Sequence, residues 1–215
     1  MLNKDAKRFL ITGASGTGKS HDAKKAVKGW KRVLVFDVLQ EYGVLPEFVT
    51  VKTVKEALEV MKKKWSKGFK IAFVPRGGVE QKQLHEISLL ILAAQKPYKD
   101  SLPGAEKILL VVEEMNTCFP NHAIKSDYWG FMEICSRGRH SGVEVIGICQ
   151  RVAEVNTRFR GNCSEMKFFR PADHVDLGTI CGFIGRGYSE QLSNLKIGQY
   201  ATFSAGSVKF GKNKI

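Results

Sequence analysis

No Cys-x-x-Cys pair occurs in this chain, and its five cysteines, Cys118, Cys135, Cys149, Cys163 and Cys181, are odd in number. That usage argues against a zinc site and against a disulfide framework, and it suits a reducing compartment. Long apolar runs are missing as well. The longest, Ile87 to Ala94, is broken by Ser88 and falls far short of the roughly 20 residues that a membrane span needs. No basic-then-apolar leader opens the chain, which predicts a soluble cytoplasmic protein with no membrane span. Acidic residues are scarce: 21 Asp and Glu stand against 34 Lys and Arg, a net charge of +13. An excess of this size says little about fold and points to a polyanionic partner. The basic residues are dispersed through the chain and form no tail, so a solvated cationic surface is the competing reading. No repeat or low-complexity segment interrupts the 215 residues, which fit one α/β domain over 1–215.

What is present begins with Gly13-Ala14-Ser15-Gly16-Thr17-Gly18-Lys19-Ser20, directly behind the apolar run Arg8 to Thr12. Every fixed position of the phosphate-loop pattern G-x-x-x-x-G-K-[ST] is filled, between an expected strand and an expected helix. Gly13, Gly16 and Gly18 allow the backbone to curl so that successive N–H groups face phosphate oxygens. The helix that starts near Lys19 adds its positive dipole end. Lys19 suits the β- and γ-phosphates of ATP, and the Ser20 hydroxyl suits a magnesium ion.

Downstream, periodicity alternates between buried strands and amphipathic helices. Expected strands are Arg32–Phe36, Phe69–Val74, Ile108–Val112, Val143–Cys149, Glu165–Phe169 and Gln199–Ser204. Expected helices run over Lys19–Trp30, from a capping box at Thr53-Val54-Lys55-Glu56 to a stop at Gly68, and over Val79–Gln95, Ser126–Ser136 and Ser189–Asn194. Lys96 to Lys107 reads as a surface loop. Gly206-Ser207 predicts a closing β-hairpin into Val208-Lys209-Phe210. This order gives an α/β architecture: a mostly parallel sheet flanked by helices, of the phosphate-loop NTPase (RecA/ASCE-like) kind, with a C-terminal β-hairpin.

Two strand ends carry further chemistry. The run Ile108 to Val112 leads into Glu113-Glu114. Glu113 is expected to hold a magnesium shell through water, and Glu114 to orient or deprotonate an attacking water. Gln150 closes the next strand, where its amide can bond a γ-phosphate oxygen or the lytic water. A second acid favours hydrolysis over phosphoryl transfer to a metabolite.

The phosphate loop, the acid pair, the run Arg137-Gly138-Arg139-His140-Ser141-Gly142 entering a strand and Gln150-Arg151 leaving it resemble the FtsK/HerA superfamily of DNA-pumping ATPases. Asp37 with Glu41-Tyr42 and the stretch Leu195 to Gly206 extend the resemblance over nearly the whole chain. Within that superfamily the chain is most similar to the small genome-packaging ATPases of membrane-containing icosahedral viruses and phages. It departs in having Glu-Glu for Asp-Glu and no proline close behind Gln150-Arg151. The resemblance implies ATP hydrolysis with Mg2+, translocation of double-stranded DNA, a ring, usually a hexamer, and a location in the host cytoplasm or at a capsid portal or vertex. It also implies an arginine acting on a neighbouring subunit's site, with Arg139, Arg137 and Arg151 as candidates. A small-molecule kinase and a phage assembly ATPase not acting on DNA are the alternatives.

Overall fold

The computed structural model describes residues 6–122 and 124–213. Nine strands form one sheet: β1 (Arg8–Thr12), β2 (Arg32–Phe36), β3 (Val49–Val51), β4 (Phe69–Phe73), β5 (Ile108–Val112), β6 (Val143–Cys149), β7 (Glu165–Phe168), β8 (Gln199–Ser204) and β9 (Ser207–Lys212). Their spatial order is β3-β4-β2-β5-β6-β1-β7-β8-β9. All pairs from β3 to β7 are parallel, and β7–β8 and β8–β9 are antiparallel. The two-residue turn Ala205-Gly206, with both φ values positive at 49° and 75°, is the hairpin geometry that matches strand twist.

The central strands print their burial on the sequence as unbroken apolar runs because both faces are covered. In β5, Ile108, Leu110 and Val112 enter one core cluster while Leu109 and Val111 enter the other. The larger cluster lies under α2 (Val54–Lys64), α3 (Glu80–Ala94), α6 (Gly130–Arg137) and α8 (His174–Ile184). The smaller one is covered by α1 (Lys19–Ala26) and by the segment around Tyr42 and Phe48. Among the described residues no helix is long and apolar enough to cross a membrane.

Several boundaries differ from expectation. The helix expected to Trp30 ends at Ala26, and the one expected from Ser126 starts at Gly130. Part of the expected loop Lys96 to Lys107 is a short helix, α4 (Lys96–Lys99), opened by Pro97 in its first turn, a position that proline tolerates. Two short helices, α5 (Met115–Cys118) and α7 (Thr157–Arg160), together with β3 and the whole of α8, have no counterpart in the sequence reading. α9 (Ser189–Ser193) and the capping box of α2, in which Thr53 and Glu56 bond reciprocally, agree with it.

Candidate functional site

Because β1, β5 and β6 are parallel neighbours, the residues that follow their C-terminal ends meet at one edge of the sheet. Ser15, Gly16, Gly18, Lys19, Ser20, Glu113, Glu114 and Gln150, with Leu39 and Glu41, line a cavity of about 330 Å³ there. Parallel topology thus brings together groups that are as much as 135 residues apart. The loop curls as its glycines allow, with φ of 148° at Gly13 and 110° at Gly18. A Cβ on Gly13 would lie 2.7 Å from the Phe169 Cβ, so a side chain there collides as well as strains.

Lys19 is buried, and its Nζ donates to the Ala14 carbonyl at 2.8 Å, lying back across its own loop. Burial lowers its pKa below the ordinary lysine value. A phosphate offers that ammonium a stronger, charge-assisted acceptor than a carbonyl. α1 starts at Lys19 behind the N-cap Gly18, which has no side chain to compete with an anion for the first N–H groups.

Glu114 occupies the left-handed region, φ 43° and ψ 50°, where β5 turns sharply into α5. Such a conformation costs a non-glycine residue about 1 kcal/mol or more and persists only where the surroundings impose it. Gln150 Nε2 donates to Glu114 Oε1 at 3.1 Å, tying the β5 and β6 ends together. Glu113 is buried, and burial together with a hydrogen bond and the charge of Asp37 pushes its pKa up to about 8. Asp37 itself accepts from the backbone N–H groups of Glu41, Tyr42 and Gly43, while Glu113 Oε2 accepts from Leu39 N at 3.3 Å. The sequence marks Asp37 as a strand-end acid but does not reveal that it clamps this loop against Glu113.

The donor set fits a magnesium ion. Ser20 and Glu113 line the same cavity, and Glu41 and Asp37 add carboxylate charge that a divalent cation would offset. Among the described residues no group of three His, Cys, Asp or Glu forms a ready-made cation cage.

The arginines fall elsewhere. Arg137 ends α6 and pairs with Glu133 at 3.3 Å, and Arg139 follows, exposed, with Nε 3.4 Å from His140 Nε2. Both precede β6, so they lie at the sheet edge opposite the phosphate loop. Arg151 is held by Asp173 and by Glu154, the latter at 3.2 Å. Arg158 donates to Ser136 Oγ and lines a separate surface pocket with Asn121 and His122.

No family model matches the sequence, and no curated protein matches it. Solved structures do. The genome packaging NTPase B204 of Sulfolobus turreted icosahedral virus 2, in complex with ATP-gammaS, superposes with a TM-score of 0.73 at 16% identity, covering 100% of both chains. VirB4 of Thermoanaerobacter pseudethanolicus gives 0.69 at 12% identity, over 97% of this chain and 89% of that one. EssC (ATPases 2 and 3) of Geobacillus thermodenitrificans gives 0.61 at 10%, over 96% of this chain and 39% of that one. At such identities the likeness is one of fold. The chain shares the α/β fold of these structures.

Proposed function

We propose that the chain is a magnesium-dependent ATPase that moves double-stranded DNA into a capsid, working as a ring of copies of itself. The observation that carries the ATPase reading is the Gln150–Glu114 hydrogen bond at the mouth of the phosphate-loop cavity. A carboxylate held there by an amide is oriented to take a proton from water. Gln150, bonded to it, is placed to sense whether the γ-phosphate is still attached. Lys19 leaves the Ala14 carbonyl for the β- and γ-phosphates, and the first N–H groups of α1 receive the remaining oxygens. Ser20 and, through water, Glu113 would hold a magnesium ion, which would supply positive charge against the phosphates.

The DNA and packaging part of the reading draws on the net charge of +13 and on the likeness in fold to a genome packaging NTPase. ATP turnover measured with and without double-stranded DNA tests both parts at once. DNA-stimulated hydrolysis that disappears in Lys19→Ala supports the proposal. Normal turnover in Lys19→Ala would remove its foundation, and turnover indifferent to DNA would leave an ATPase without this substrate.

A further inference from the structure

Arg151 follows Gln150 directly, so whatever holds its side chain also holds the backbone that carries the Gln150 amide. It is held from α8. Its guanidinium bonds to Asp173, the N-cap of that helix, and its Nε lies 3.8 Å from Oδ2 of Asp176 in the first turn. Asp176 Oδ1 in turn accepts from the Ala153 N–H at 3.0 Å. Two carboxylates at one helix end thus grip Arg151 by its side chain and Ala153 by its backbone. The start of α8 is itself tied to the phosphate loop, because the Arg170 carbonyl, shortly before Asp173, accepts from Ala14 N at 2.8 Å.

Stability alone does not account for Asp176. It is 1% exposed, and burial pushes its carboxyl above the ordinary value. Among the described residues its Oδ2 has no hydrogen-bond partner, and neither has the buried Arg151 Nε nearby. An apolar residue would avoid the cost of a buried charge left short of bonds. What the carboxylate supplies is direction, since it fixes the 3₁₀ turn Val152–Glu154 that carries the chain away from Gln150. On its other side that stretch is stitched to the segment leaving α5. Asn121 N donates to the Glu154 carbonyl at 2.6 Å, and Asn156 N donates to the Phe119 carbonyl at 3.0 Å. The backbone behind Gln150 is therefore clamped with one jaw behind α5, the helix that Glu114 opens, and the other on α8.

We propose that Asp176 is a positioning residue for hydrolysis, acting through Ala153 and Arg151 to hold the Gln150 amide against Glu114, with Asp173 as its outer partner. The proposal rests on the reading of Gln150 and Glu114 as the catalytic pair. An asparagine at position 176 keeps an acceptor for Ala153 N but turns a donor toward Arg151 Nε, which is itself a donor. The arginine is driven off, and the backbone behind Gln150 loosens.

The test is a double-mutant cycle on the full chain, read by steady-state turnover of magnesium ATP and by equilibrium ATP binding. Asp176→Asn should lower kcat by about tenfold or more, the scale of a misplaced catalytic group, while ATP affinity stays within about twofold. In a Gln150→Ala background the same substitution should cost nothing further, since the amide that it positions is gone. Asp173→Ser keeps α8 capped and removes the outer carboxylate. It should show the same dependence on Gln150 with a smaller loss, and it carries the test if Asp176→Asn does not fold. Full kcat in these variants, or an equal loss with and without Gln150, would overturn the assignment and leave Asp176 a residue of the fold alone. If Gln150→Ala itself turns over normally, the reading of Gln150 fails, and the positioning role fails with it.

Discussion

Gln150 Nε2 lies 3.1 Å from Glu114 Oε1, so the ends of two neighbouring strands are joined by one hydrogen bond across the cavity mouth. Conversion of Glu114 to Gln preserves shape and removes the base. Glu114→Gln should bind ATP as tightly as the unmodified chain while hydrolysing it slower by a factor of 10² or more, the scale of general-base catalysis. Rapid-quench turnover alongside equilibrium binding checks this. If Glu113→Gln stops turnover and Glu114→Gln does not, the two acids have exchanged roles.

Glu113 and Asp37 place two carboxyls together in a buried site, and the Glu113 pKa rises to about 8. A carboxyl raised in this way opposes folding increasingly as pH climbs from its ordinary value, and the cost is complete above about 8. In metal-free, nucleotide-free protein at pH 9, Glu113→Gln should therefore melt several degrees higher than the unmodified chain. With magnesium and ATP added, it should gain less in melting temperature. Thermal scans with and without a chelator decide it, and an unchanged or lowered melting point in the metal-free state would contradict the crowding.

How far the sequence reveals this arrangement depends on the element. The runs Arg8–Thr12, Arg32–Phe36, Ile108–Val112 and Val143–Cys149 are legible to the residue because strands covered on both faces have no polar side to interrupt them. α8 is illegible for the opposite reason. Gly178 and Gly182 dilute its helical pattern, and it is fixed by tertiary contact and by Asp173, whose side chain accepts from Val175 N and Asp176 N. Three-residue β3 is too short to show a period. In the site, the phosphate loop and the acid pair show themselves through fixed spacing. The braces of that loop, the Arg170 carbonyl on Ala14 N and the Gly198 N–H on the Thr17 carbonyl, act through backbone atoms, which leave no trace in residue type.

Gly147 illustrates a related silence. It sits in β6 as one glycine among apolar residues, yet a Cβ there would lie 2.5 Å from Met115 Cε and 2.7 Å from the Phe159 ring. Met115 opens α5 immediately behind Glu114, so the missing side chain lets that turn pack down. Gly147→Ala should destabilise the fold by about 1–3 kcal/mol, the usual cost of overpacking, and should slow hydrolysis more than it weakens ATP binding. Denaturant melts and steady-state kinetics together check it. Unchanged stability would mean that Met115 and Phe159 repack without strain.

Binding to DNA should be indifferent to sequence and steeply dependent on salt, because Lys and Arg contacts to phosphates release counterions and read no bases. Affinity for unrelated duplexes of equal length should agree within severalfold. It should fall by at least about tenfold between 50 and 200 mM salt, which corresponds to a few phosphate contacts. A flat salt response would count against a backbone-binding motor.

Arg139 stands at the sheet edge opposite the phosphate loop, exposed, and cannot reach its own chain's Glu114 and Gln150 without unfolding the segment that precedes β6. If it stabilises charge on a transferred phosphoryl group, it does so in a neighbouring subunit, where such an arginine is worth about 10³ to 10⁵ in rate in other systems. An Arg139→Ala subunit then keeps a working loop and glutamates but fails its neighbour, while a Lys19→Ala subunit lacks a loop and still offers its arginine. Mixing these two inactive proteins should restore part of the hydrolysis, at interfaces where an intact loop meets an intact arginine. Recovery should rise with protein concentration, since assembly follows mass action. A monomeric enzyme allows no recovery at any ratio. No recovery in rings shown to be mixed would move the role to Arg137, which is also exposed, or to Arg151, once it is freed from Asp173.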